Sequence, residues 1–154
     1  MGLSKQDLFA LEGTDFGTSD WLLIDQDRID KFADATNDHQ FIHVDAERAA
    51  QTPFGSTIAH GYLTLSLISY LISGLMKVPD GTDMVINYGL NKVRFLTPVK
   101  VNQHLRAHME NIEITEKRPG QILIRSAVTL EIKEEDRPAC VAESMALVMV
   151  GDGA

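Results

Sequence analysis

A chain of 154 residues and 17.0 kDa, 44% hydrophobic and 23% charged, has the make-up of one folded domain and lies far from that of a disordered polymer. Its net charge of −8 argues against nucleic acid as a partner, because a phosphate backbone calls for a basic surface. No apolar run reaches the roughly 18 residues that cross a bilayer, and the N-terminus has no continuous apolar stretch, so the expectation is a cytoplasmic protein without a membrane partner.

The predicted elements begin with a short apolar strand, Trp21 to Ile24. Asp25 or Asp27 then caps a helix whose apolar members Ile29, Phe32, Ala33 and Ala35 follow a 3.6-residue period, and this helix stops near Asn37. Asp38 to Phe41 is polar and irregular. Asp45 caps a second short helix, Ala46 to Gln51, which Pro53 and Gly55 close. Gly61 to Ser73 is apolar on nearly every face, which predicts one helix of about 20 Å buried all round and ended at Gly74.

The remainder reads as antiparallel sheet: Met84 to Leu90, Lys92 to Val99, His104 to Thr115, Gln121 to Lys133 and Ala139 to Val150. Ile122, Ile124, Ser126, Val128, Leu130 and Ile132 alternate with Gln121, Arg125, Thr129, Glu131 and Lys133, the period of two of a half-buried strand. Cys140 to Val150 is apolar on both faces and is expected centrally, with the lone Cys140 a buried structural thiol. A long apolar helix followed by long antiparallel strands predicts an α+β hot-dog fold: a central helix wrapped by a curved sheet, in a single domain over 1–154 with its core at about 21–150. The open edge of such a sheet predicts pairing into a homodimer or a multiple of dimers.

The densest polar cluster is Thr36 to Asp45, followed downstream by Ala59-His60-Gly61. Three readings compete for it. On one continuous helix Asp38 and His43 would diverge by a net 140° or so, whereas an irregular loop lets them converge on one water. His39 and His43 have the i, i+4 spacing of a metal pair, but the Glu that follows the first His in the zinc helix is missing. The third reading makes His43 a satisfied structural histidine and Asp38 a capping residue. Gly61, first residue of the apolar helix, has an N–H without an internal partner. It is either an oxyanion donor or a simple packing position.

At these residues the chain resembles the MaoC-like dehydratase and (R)-specific enoyl-CoA hydratase family, in its nodulation protein N-like branch. The matching pattern is Asp38-His39-Gln40-Phe41-Ile42-His43, then Ala46-Glu47-Arg48-Ala49-Ala50, then Ala59-His60-Gly61-Tyr62-Leu63-Thr64-Leu65-Ser66, with Val93-Arg94-Phe95-Leu96-Thr97-Pro98-Val99 later. Gln40 and Phe41 stand where the family has Asn and Pro. The resemblance implies hydration of trans-2-enoyl-CoA thioesters to (R)-3-hydroxyacyl-CoA. Asp38 and His43 would be the catalytic pair, Gly61 the oxyanion amide, and Ser66, Gln40 and His60 the substrate-binding residues. It implies no metal and no cofactor beyond coenzyme A as part of the substrate. Lys92, Arg94, Lys100 and Arg106, in the more basic second half, are candidate partners for its phosphates. A hot-dog thioesterase and a non-catalytic acyl-binding module are the alternatives.

Overall fold

The computed structural model describes residues 2–151. Ser4 opens helix α1 (Lys5–Phe9) through a reciprocal capping box with Asp7, and two short strands follow, β1 (Asp15–Thr18) and β2 (Leu22–Ile24). Asp25 then caps α2 (Gln26–Thr36) by accepting from the Arg28 N–H at 2.9 Å, and Asn37 ends it in the left-handed conformation at φ 57°. One helical turn, α3 (Phe41–Val44), leads to Asp45, whose carboxylate caps α4 (Ala46–Ala50). The expected caps and stop are therefore found. α1, β1 and the α3 turn were not anticipated.

The central helix is two pieces, α5 (Gly61–Ser66) and α6 (Ile68–Ile72). Leu67 stays in the right-handed region with ψ −13°, and its N–H still reaches Leu63 O at 3.1 Å, so the chain continues in the same sense across the break. Ser66 Oγ donates to Tyr62 O at 2.7 Å, a back-bond that competes for a helix carbonyl and bends the ladder. The helix is also not buried all round. Leu63, Leu67, Ile68, Leu71 and Ile72 enter the core, each adding about 1.5–3 kcal/mol of burial, while Tyr62 and Tyr70 remain 70% and 65% exposed beside the open hydroxyls of Ser66 and Ser69. The hydroxyls and tyrosine tips supply a polar face that hydropathy alone conceals.

Four long strands form the sheet: β3 (Thr82–Phe95), β4 (Gln103–Arg118), β5 (Gln121–Ile132) and β6 (Cys140–Val150). The order is β1-β4-β5-β6-β3, all antiparallel, with β2 also on β4. β3 runs unbroken where two strands were expected, taking up its irregularities as register shifts against β6. Every even position from Ile122 to Ile132 is buried, as the alternation requires, and β6 lies between β5 and β3 with Cys140 wholly covered. Burial pushes the Cys140 thiol up to about 11, away from the thiolate a nucleophile needs. The architecture is an α+β hot-dog fold.

The concave face carries two apolar clusters. The larger joins α5 and α6 to Leu105, Ala107, Met109, Val128, Leu130 and Ile132; the smaller sets Leu8 of α1 on Ile114, Ile122, Ile124 and Val148. Between them Ser126 Oγ donates to Asn111 Oδ1 at 2.9 Å across the β4–β5 pairing, both residues 1% exposed. Among the described residues no helix is long and apolar enough to cross a membrane.

Candidate active site

Asn37 turns the chain out of α2, and the α3 turn brings His43 back beneath it. The return is held at both ends. Ile58 N–H donates to Ile42 O at 3.0 Å and Ala59 N–H to Val99 O at 2.7 Å, so residues 57–59 are strapped between the α3 turn and the strand-like segment before β4. Gln26 crosses this join. Its Nε2 donates to His43 O at 2.7 Å and to Asp30 Oδ1 at 2.8 Å, and its Oε1 accepts from Thr57 Oγ1 at 2.6 Å.

His43 is 6% exposed and donates Nδ1–H to Ile58 O at 2.7 Å, which leaves Nε2 as the ring's acceptor. Burial holds its pKa below the ordinary histidine value, opposed by the Ile58 bond and reinforced by neighbouring His60, with Asp38 pulling the other way. His43 is therefore neutral at neutral pH. One polar atom each of Asp38, His43 and His60 lie within 4.8 Å of one another, a span that one water can bridge with ordinary hydrogen bonds. Asp38 is exposed. His60 is 2% exposed, stacks on His43 with centroids 3.8 Å apart and planes 24° apart, and donates Nε2–H to Asp38 O at 2.9 Å. Its Nδ1 is buried without a partner among the described residues. Two rings so nearly parallel do not aim their in-plane lone pairs at one point, so the cluster is ill-shaped for a shared ion at the ~2.0–2.1 Å of a zinc–imidazole bond. The i, i+4 metal pair does not form either: His39 Nε2 faces Asp34 Oδ1 at 2.9 Å on the surface.

His43 opens into a cleft of about 400 Å³ lined also by Ile58, Ala59, Gly61, Thr64, residues 95–99 and Ala139. The Gly61 N–H, first in its helix, has no helical acceptor and donates to no other backbone group among the described residues. His43 and Gly61 line this cleft, and Asp38, which does not line it, has a carboxylate oxygen within 4.8 Å of a His43 ring nitrogen. His60 sits behind His43 and does not line the cleft. Gln40 contributes through its backbone: its carbonyl accepts from the His43 N–H at 2.9 Å, and its own N–H lies 3.4 Å from Asp38 Oδ1. Ser66 is elsewhere, in a second hollow of about 340 Å³ facing Asn87 to Leu90 of β3, and Thr64 and Thr97 are the hydroxyl residues that line the His43 cleft. Of the candidate cations, Lys92 is paired with Glu143 at 2.7 Å and Arg106 with Glu131 at 2.6 Å; Arg94 donates to the adjacent Val93 carbonyl, and Lys100 makes no ion pair among the described residues. Sequence reasoning missed Gln26 and Thr57, since nothing local marks residues whose partners lie 17 to 31 positions away, and it gave Phe95, quoted within the later motif, no place in the site.

A family model described as MaoC like domain matches residues 8–135. The chain belongs to the MaoC-like family. This MaoC-like protein is 46% identical to 3-hydroxyacyl-thioester dehydratase Z of Mycobacterium tuberculosis over 92% of its own length and 93% of that protein's. It is 45% identical to nodulation protein N of Rhizobium leguminosarum over 95% and 91%. Among solved structures it superimposes on an unliganded (R)-hydratase of Pseudomonas aeruginosa with a TM-score of 0.71 and 26% identity, covering 91% of this chain and 83% of that one. The MaoC-like chain is an enzyme of the hydro-lyase class.

Proposed function

We propose that the protein adds water reversibly to trans-2-enoyl thioesters, forming (R)-3-hydroxyacyl thioesters, with Asp38 and His43 as the catalytic pair. The observation that carries this reading is an exposed carboxylate within 4.8 Å of a buried neutral imidazole whose cleft is lined also by Gly61. Conjugation makes C3 of the enoyl group electrophilic. Water held between Asp38 and His43 attacks C3 and gives a proton to the pair, with His43 Nε2 as an open acceptor. Negative charge moves to the thioester oxygen, where the Gly61 N–H takes it, and the pair returns a proton to C2. The net addition is H and OH, so water supplies nucleophile and proton, and the reaction calls for no metal or redox cofactor. Coenzyme A enters as part of the substrate. The named activities of the M. tuberculosis dehydratase and the P. aeruginosa hydratase lie in the same direction.

The working unit we propose is a homodimer joined at β3. This edge strand is 14 residues long, its outer edge is unpaired among the described residues, and Met84, Val85, Ile86, Tyr88 and Leu90 are 43–58% exposed along it. Open edges of that length and hydrophobicity are covered in stable proteins. Purified protein incubated with crotonyl-CoA and longer enoyl-CoAs, with conjugated absorbance and free thiol followed together, tests the reaction. Loss of absorbance without thiol release is expected. Thiol release at the same rate would turn the reading into thioester hydrolysis. Sedimentation showing an active monomer at micromolar concentration would rule out the dimer.

A further inference from the structure

Gly61 lies under an aromatic wall. A β-carbon built there would stand 3.3 Å from Cδ1, Cε1 and Cζ of Phe95, closer than carbon atoms settle in ordinary contact. Phe95 ends β3, and Tyr62 meets its ring edge-on with centroids 6.0 Å apart and planes at 89°. Although 48% exposed, Phe95 is the one large exposed hydrophobic among the described residues that also lines the His43 cleft. Behind it the cleft is closed by Thr64, Val99 and Ala139, each nearly fully buried.

We infer that Phe95 is a specificity-determining residue: its ring fills the space beside C2 of the acyl chain, so the site takes 2-enoyl thioesters unsubstituted at C2 and turns away those with a 2-methyl branch. This rests on the thioester placement proposed above. A carbonyl oxygen about 2.9 Å from the Gly61 nitrogen brings the carbonyl carbon and C2 against the Gly61 backbone. The wall next to that backbone is already tight for one methyl-sized group, with three ring carbons at 3.3 Å. Conjugation keeps C2, its substituents and the carbonyl in one plane, and the half-turn about C1–C2 that would move a 2-methyl group away exchanges it with C3, taking C3 from the water held by Asp38 and His43. The ring must move, or the substrate must lose its contact with the amide.

The test compares kcat/KM for crotonyl-CoA and 2-methylcrotonyl-CoA in wild type, Phe95→Leu and Phe95→Ala. The ratio of branched to unbranched rates cancels the intrinsic reactivity of the two substrates between variants. It is expected to rise by about ten-fold or more in Phe95→Ala, with Phe95→Leu intermediate, since one methyl in an apolar pocket is worth about 10- to 200-fold. An unchanged ratio in folded variants that still hydrate crotonyl-CoA overturns the inference. If wild type hydrates neither substrate, the proposed reaction fails instead. Calorimetric binding of butyryl-CoA and 2-methylbutyryl-CoA to the same three proteins then decides about Phe95: the same shift in the Kd ratio supports its role, and equal ratios overturn it.

Discussion

Replacing Gln26 by Met retains the length of the side chain and deletes all three of its hydrogen bonds. Asp30 is exposed and rehydrates at little cost. The Thr57 hydroxyl, on a residue 2% exposed, and the carbonyl of His43, on a residue 6% exposed, lose partners at 2.6 and 2.7 Å with little water to replace them. Each orphaned buried group costs about 1–3 kcal/mol, so Gln26→Met is expected to lower stability by roughly 2–5 kcal/mol. The Gln26→Met/Thr57→Val double variant removes the stranded hydroxyl along with its acceptor. It should recover part of that loss, with a coupling of about 0.5–3 kcal/mol between the two sites. Urea unfolding at fixed protomer concentration measures this, read as a shift in midpoint at unchanged slope. A folded Gln26→Met losing under about 0.5 kcal/mol, or single losses that merely add, would show that the crossbar does not hold the His43 return.

Asp38→Asn and His43→Asn, the latter able to keep a donor toward Ile58 O, should each lower kcat by about 10² to 10⁴ with KM nearly unchanged. Their double variant should be little worse than the worse single one, because groups acting on one water fail together, and multiplicative losses would break the shared-water mechanism. Burial depresses the His43 pKa in the folded protein, so the neutral ring persists as pH falls, and the acid limb of kcat attributable to it should lie below about pH 6.5, its ordinary value. The same depression stabilises the fold above about pH 6.5 and is lost as pH falls through the folded value; denaturant midpoints across that window check the sign. Ser66→Ala, which deletes a helix back-bond away from the His43 cleft, should leave kcat within a few-fold of wild type. Loss on the scale of Asp38→Asn in a folded Ser66→Ala enzyme would return that hydroxyl to the site.

What was legible in the chain was what short-range chemistry controls. Asp25 and Asp45 cap helices because a carboxylate three residues before a free N–H can reach it, and Asn37 stops α2 because its side chain tolerates the left-handed turn. The alternation in β5 translated directly into burial, and the Asp38 to His43 spacing held once the loop was irregular. Other features needed the third dimension. Tyr62 and Tyr70 counted as apolar in the helix pattern, yet both face outward, Tyr62 against Phe95 at the end of β3 and Tyr70 beside the β1–β2 connection. Ser66 satisfied a motif but spends its proton on Tyr62 O, and His60 turned out to brace Asp38 from behind rather than to face the cleft. α1 carried a readable signal in the Ser4-to-Asp7 capping box; five residues of helix are too few for periodicity to show.

The polar Asn111–Ser126 layer divides the interior into two compartments. The compartment beneath α1 takes Leu8 from one end of the chain and Val148 from the other, and Lys5 meets Glu116 across 111 positions. A ribosome therefore delivers α1 long before the strands it packs on, and its docking site is complete only when Val148 of β6 is out. Five residues cannot hold a helix in water for that interval, whatever their cap. α1, made before the strands it covers, is thus secured after them, and the β4–β5 hairpin tip waits with Ile114, Ile122 and Ile124 uncovered in the meantime. Pulse-labelled hydrogen exchange that found α1 protected before β5 would contradict this order.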